Sequence, residues 1–200
     1  MVVATPKPVV VQASVPVLLR EFETPLGPMI GAAVGEGLCL LEFHDRPNLA
    51  RERADLRRFF GSEPVGEEGA PRDAECERAR AHLAQAEGEL REYFDGKRTR
   101  FDVPLAIRGT AWDRMVWDQL LAIPYGETRS YEDIAVALSV RGAVRAVGLA
   151  NGRNRIAIVI PCHRVIRKGG ALGGYGGGLW RKERLLALET LRPSQVIADP

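Results

Sequence analysis

The chain has 200 residues and a mass of 22.0 kDa, room for one large domain or two small ones. Hydrophobic residues make up 46% and charged residues 27%, ordinary globular usage that excludes a disordered or collagen-like chain. The net charge of +2 conceals an asymmetry: residues 1–109 hold 15 Lys+Arg against 18 Asp+Glu, and residues 110–200 hold 13 against 8, so the second half is the one suited to meet a polyanion.

In chain order, residues 1–18 are rich in Val, Pro and Ala, show no helical period, and read as a tail or an added edge strand. They lack a basic leader and are broken by Pro6, Pro8 and Pro16, so they do not read as a signal peptide. Residues 19–23 alternate like a half-buried strand, and Thr24-Pro25-Leu26-Gly27-Pro28 is a turn signal. The apolar runs 29–34 and 38–43 flank Gly35-Glu36-Gly37 as a hairpin. A helix is predicted over 51–60, a poorly ordered Gly/Pro/Glu loop over 62–72, and a long helix over 73–94 stopped by Asp95-Gly96-Lys97. Residues 101–109, with Pro104 and Gly109, read as a linker.

Beyond the linker the pattern turns helical. Residues 111–122 place Met115, Val116, Leu120 and Leu121 along one side, and Pro124-Tyr125-Gly126 turns the chain. Ser130 is positioned to cap a helix reaching about Ser139, with Asp133 completing the capping pair and Ala135, Val136 and Leu138 facing inward. A short turn leads to a second helix over 143–151, the outline of a helix-turn-helix. That helix, Ala143-Val144-Arg145-Ala146-Val147-Gly148-Leu149-Ala150-Asn151, is small-sided with one long cation. A major-groove reader needs several long polar side chains. Small residues instead allow close approach to a narrow groove or to another helix, and the residues alone leave both open. A closing helix spans 179–191. The expected fold is mixed α/β (α+β): a small N-terminal sheet-plus-helix domain over 19–103, then a mainly helical domain over 108–192, with tails at 1–18 and 193–200.

The residues that carry chemistry follow 156–160, an apolar run far too short to span a bilayer that reads as a buried strand. It ends at Pro161, because proline cannot continue a ladder. Cys162 then stands at a strand end facing a cleft, beside His163 and near Arg164 and Arg167, groups that lower a thiol pKa. Adjacent residues rarely face each other, so Cys162 and His163 are expected to communicate through a water, and His163 needs an acid partner. The loop from Gly169 to Gly178 brings backbone close to a planar ligand, with Tyr175 as a wall. Cys39, Cys76 and Cys162 cannot all pair and read as thiols in a reducing compartment, the cytoplasm. Cys39, His44, Cys76 and His82 have spacings that fit no common zinc finger, so no metal is expected.

Ile160-Pro161-Cys162-His163-Arg164-Val165 resembles the active-site motif of the O6-alkylguanine-DNA alkyltransferases, the methylated-DNA–protein-cysteine methyltransferases. The resemblance runs in order through Tyr131, Arg145-Ala146-Val147-Gly148, Asn154, the motif itself, and Tyr175 with its glycines to Glu189. Thr24-Pro25-Leu26-Gly27 and Gly37-Leu38-Cys39-Leu40-Leu41-Glu42-Phe43 resemble pieces of that family's smaller domain. It implies DNA repair by single-turnover transfer of the alkyl group of O6-methylguanine, and of O4-methylthymine, to Cys162, without a cofactor. The implied relay is Glu189, His163, water, Cys162, with Asn154 bracing the turn.

The implied partner is alkylated double-stranded DNA, bound by a monomer with no membrane involved, and the damaged base must leave the stack. Arg145 would fill the vacated place from the minor groove. Tyr131 would crowd the 3′ phosphate and protonate the departing guanine, and Ala143, Ala146, Gly148 and Ala150 would let the helix sit deep. The implied pocket is Tyr131, Ala157, Val165, Tyr175, Gly176 and Gly177. Ala157 and Gly177 are larger in some relatives, which implies a pocket open to adducts as large as benzyl. The alternative is a non-catalytic alkylated-DNA-binding protein, but such relatives carry another residue in place of the cysteine. A transcription regulator or a cysteine hydrolase fits less well.

Overall fold

The structure, a computed structural model, describes residues 14–190. Of the tail expected at 1–18, residues 1–13 lie outside the described residues, as do the tail expected at 193–200 and the last residue of the closing helix, while Val17 is buried and Leu18 opens the first strand. The N-terminal part is a four-stranded sheet in the order β3-β2-β1-β4. Strands β1 (Leu18–Phe22), β2 (Met29–Val34) and β3 (Gly37–Phe43) form an antiparallel meander. β4 (Val65–Gly66) adds a short parallel edge to β1.

Every residue of β2 and β3 is buried because both faces of the sheet are covered. Ile30, Ala32 and Leu40 pack with Leu56 and Phe60 of α1 (Leu49–Phe60) on one side. Met29, Ala33, Leu41 and Phe43 pack with Leu83, Leu90 and Tyr93 of α2 (Ala74–Phe94) on the other. A register shift between Ala32 and Ala33 lets Leu38 and Leu41 join the same core cluster despite their odd spacing.

The second part is helical. It comprises α3 (Ala111–Leu121), β5 (Arg129–Ser130), α4 (Tyr131–Ala137), α5 (Val144–Gly152), a 3-10 turn Cys162–Arg164, β6 (Val165–Ile166) and α6 (Leu179–Thr190). Thr110 with Asp113 and Ser130 with Asp133 form complete capping boxes at α3 and α4, as read for Ser130. Trp117, Leu120, Val147, Ile156 and Leu185 belong to the same core cluster as the sheet residues Phe22 and Phe43, so one hydrophobic core runs through both parts.

Several expectations are corrected. Residues 156–160 are no strand: only Ile156 bridges to Leu41, Ile158 takes φ 71°, and Ile160 N–H bonds back to Ile156 O. A continuous apolar run marks burial on every side, and here the buried shape is a turn. The stretch 62–72 carries β4 and a 3-10 turn, with Arg20 bound to Glu67 at 2.6 Å and Arg80 donating to three carbonyls. The linker 101–109 is pinned to β3 through Leu38 N–H to Pro104 O and Ala106 N–H to Leu38 O. Met115, Leu121 and Val136 point outward, because the buried faces are Asp113, Val116, Trp117 and Leu120 on α3 and Ile134 and Ala135 on α4.

Candidate active site

Cys162 opens the 3-10 turn after Pro161 and is almost wholly buried. Its position is fixed by Asn154, whose Nδ2 donates to Ile160 O at 2.9 Å while its Oδ1 accepts from Ile156 N at 3.0 Å. One amide side chain thus spans both ends of the irregular turn that delivers the sulfur. Burial pushes the Cys162 thiol up to about 11, against the pull of Asn154, Arg46 and Lys182, so the resting group is a thiol. This reverses the expected influence of Arg164 and Arg167. Arg164 faces the other way, onto Glu189 and Ile123 O, and the cations that act on the sulfur are Arg46 and Lys182.

Behind the sulfur lies a closed network. His163 Nε2–H donates to Glu189 Oε1 at 2.8 Å, and neither side chain is exposed. Glu189 also accepts from Arg164 Nε and Nη2 at 2.8 and 2.9 Å, from Tyr93 Oη–H at 2.8 Å, and from Gly126 N–H at 3.3 Å. These donors overcome the cost of burial and hold the Glu189 carboxyl at about 2. A carboxylate only accepts, so the proton of neutral His163 sits on Nε2 and the lone pair on Nδ1. That Nδ1 has no protein partner among the described residues. Burial pushes His163 below its ordinary value, which keeps it in the basic form.

In front of the sulfur is a cavity of about 320 Å³. Cys162 forms its floor, Tyr131, Gly174, Tyr175 and Gly176 one wall, and Gly148, Asn151 and Gly152 of α5 another, with Arg46 reaching in from the segment after β3. The glycine loop is held close: a Cβ on Gly176 would lie 2.3 Å from Arg46 Nη1, and one on Gly177 would lie 2.8 Å from Phe43 and 3.0 Å from Tyr175. Of the six predicted pocket residues, Tyr131, Tyr175 and Gly176 line this cavity, while Ala157, Val165 and Gly177 stand outside its wall. Ala157 is packed against β3 through a bond to Leu41 O, and Gly177 accommodates Phe43.

On the outer side, α5 exposes Arg145, which forms no ion pair among the described residues, and leaves Ala143, Ala146 and Gly148 partly accessible. Ala150 turns inward, and its carbonyl accepts from Trp117 Nε1 at 2.9 Å, so it cannot deepen the outer face as expected.

Among the residues of the site that escaped the sequence reading are Tyr93, Arg46 and Lys182, together with Asn151, Gly152 and Gly174 of the cavity wall. Tyr93 and Arg46 come from the N-terminal half, 96 and 108 residues from their partners Glu189 and Asn154. Lys182 is fully buried on α6 and donates to Val165 O, burial lowering it to about 8. A tyrosine on an apolar helix face and an arginine in a turn carry no local mark of such partners. Cys39, His44, Cys76 and His82 have separate surroundings: Cys39 bonds to Ala32 O, His82 to Gly35 O, His44 approaches Glu21, and Cys76 is buried in the first turn of α2. No group of three or more potential metal ligands occurs among the described residues.

Residues 18–107 match the 6-O-methylguanine DNA methyltransferase ribonuclease-like domain, and residues 111–191 match the DNA binding domain of the same family. A methylated-DNA–protein-cysteine methyltransferase of Mycobacterium tuberculosis is 58% identical over 176 residues, covering 86% of this chain and 92% of that protein. One of Mycobacterium leprae is 43% identical over 173 residues, covering 85% and 90%. The crystal structure of M. tuberculosis OGT in complex with DNA superposes with a TM-score of 0.70 at 41% identity, covering 86% of this chain and 92% of that one. The chain belongs to the methylated-DNA–protein-cysteine methyltransferase family.

Proposed function

We propose that this protein repairs DNA by direct reversal, moving the alkyl group of O6-methylguanine in double-stranded DNA irreversibly onto Cys162. The reading rests most on one observation: a single cysteine lines a cavity while the next residue in the chain, His163, is held in a buried pair with the Glu189 carboxylate. The Cys162 thiol gives its proton, through a water, to the free Nδ1 of His163, and Glu189 stabilises the imidazolium. The sulfur then bonds to the alkyl carbon as the carbon–O6 bond breaks. The departing guanine takes a proton from Tyr131 Oη. The count closes when that phenol is reprotonated and His163 returns its extra proton to solvent. A thioether is a poor leaving group, so each chain turns over once and needs no cofactor.

The base reaches the sulfur only if it leaves the helix. The partly accessible small residues Ala143, Ala146 and Gly148 suit close approach of α5 to the minor groove, with Arg145 taking the place of the flipped nucleotide. Contacts of this kind read backbone and shape rather than sequence. In the division of labour we infer, residues 19–103 are the scaffold and 108–192 carry the nucleophile and the DNA helix. One chain holds every group of the relay, so a monomer suffices. Three unpaired cysteines suit the reducing cytoplasm, and no helix among the described residues is long and apolar enough to cross a membrane.

Duplex DNA carrying O6-methylguanine labelled at the methyl group tests the proposal. Transfer of one label per chain, abolished in Cys162→Ala, supports it. Repeated turnover, or label released into solution, refutes it.

A further inference from the structure

We infer that Tyr93, on the long helix of the N-terminal half, is a positioning residue of the alkyl-transfer relay, sharing Glu189 Oε1 with His163 and so setting how strong a base His163 is. The inference rests on the proposed function and deepens it, by giving the N-terminal half a part in the chemistry.

The geometry is specific. Tyr93 Oη–H donates to Glu189 Oε1 at 2.8 Å, and His163 Nε2–H donates to that same oxygen at 2.8 Å. Tyr93 is wholly buried and cannot exchange this bond for one to solvent. Its ring is clamped by Phe94, Phe101 and Tyr125, with centroids 5.3, 5.4 and 6.1 Å away, which fixes where the hydroxyl points. Oxygen Oε1 has two in-plane lone-pair directions and three donors: Tyr93, His163 and Arg164 Nη2. Each donor draws off electron density that would otherwise stabilise a positive imidazole. Tyr93 and Arg164 therefore hold His163 in the neutral form that accepts a proton, while Glu189 retains its charge.

The other groups facing this pair come from three elements. The 3-10 turn supplies Arg164, α6 supplies Lys182, and the turn after α3 supplies the Gly126 N–H and Tyr125. Arg164 and Lys182 both oppose a charge on His163, so they act in the same sense as Tyr93. Arg164 grips Glu189 through two atoms and orients the carboxylate without help. Tyr93 is thus free to act as a trimming contact, and its removal should leave the carboxylate in place.

The test is the pH profile of single-turnover methyl transfer from O6-methylguanine duplex DNA by the full chain. Tyr93→Phe removes only the hydroxyl. Released from competition at Oε1, the His163 imidazolium becomes more stable, so the acid limb of the profile should move up by about half to one pH unit. That amounts to a several-fold loss of rate on the acid limb with little change on the plateau above it. Difluorotyrosine at position 93, a stronger donor of the same shape, should move the limb down and guards against poor folding of Tyr93→Phe. A 15N titration of His163 should move in parallel. Acid limbs that coincide with the parent's in both variants, or a rate loss equal at every pH, would overturn the inference. Failure of the parent to methylate Cys162 at all would instead overturn the proposed function.

Discussion

Behind Cys162, Glu189 binds five donor atoms within 3.3 Å and shares its burial with His163, whereas in front of it Arg145 stands exposed on α5 beside an outward-pointing Leu149. The rear is buried and drawn from both halves of the chain, with only His163 Nδ1 left without a protein partner among the described residues, whereas the outer face of α5 is open and local to one helix. The contrast fits the two tasks. Proton transfer gains from fixed dipoles in a water-excluded site, where electrostatic terms are largest. Recognition of a backbone of regular charge needs an accessible helix that any sequence can approach.

The largest expected effect comes from breaking the rear. Glu189→Gln leaves Arg164 buried without its carboxylate and gives His163 Nε2 a neutral partner. It should slow single-turnover transfer at least about a hundredfold and lower stability in urea by about 3–5 kcal/mol. The variant should also change the acid side of the stability curve. Glu189 is held at about 2 in the fold, below its ordinary carboxylate value, so its stabilisation is present above the unfolded value near 4.5 and is lost as the pH falls towards 2. His163, also depressed, adds to the loss from about 6.5 downward, because the unfolded chain takes up its proton first. Urea melts from pH 7 to 3 should therefore fall steeply in the parent and less steeply in Glu189→Gln.

The same contrast makes the resting sulfur a poor target. With its thiol near 11, Cys162 should react slowly with iodoacetamide at pH 7, the rate rising about tenfold per pH unit to pH 9 and beyond. Fast labelling of Cys162 at neutral pH would show that the thiolate exists before substrate arrives.

Breaking the front should act on DNA and spare the fold. Arg145→Ala should reduce transfer from duplex DNA by about tenfold or more, while stability stays within about 0.5 kcal/mol of the parent, as for an exposed cation with no ion pair among the described residues. The smallest effect lies at the start of α4, where Ser130→Ala removes the acceptor for Asp133 N–H at 3.0 Å and should cost about 1 kcal/mol in a thermal melt.

Much of the front was legible in the sequence because its signals are local. The Ser130 and Asp133 pair, the small-sided helix, the proline before Cys162 and the glycines around Tyr175 are all read within a few residues. The hairpin of β2 and β3 was likewise legible from two apolar runs around a glycine turn. The rear was legible only where the family motif reached, at His163 and Glu189. Tyr93 and Arg46 meet their partners across the boundary between the two halves, and helical period shows only that Tyr93 is buried, not what its hydroxyl touches. The turn at 156–160 failed for a related reason: burial on all sides erases the alternation that separates a strand from a turn, and the chain direction there is set by Asn154.

Peptide mass mapping after incubation with duplex DNA containing O6-methylguanine tests the central claim most directly, because it identifies which sulfur holds the methyl group. The account predicts one methyl per chain, all of it on the peptide containing Cys162 and none on those containing Cys39 or Cys76. Methyl on either of the other cysteines, or repaired DNA with an unmodified Cys162, would contradict it.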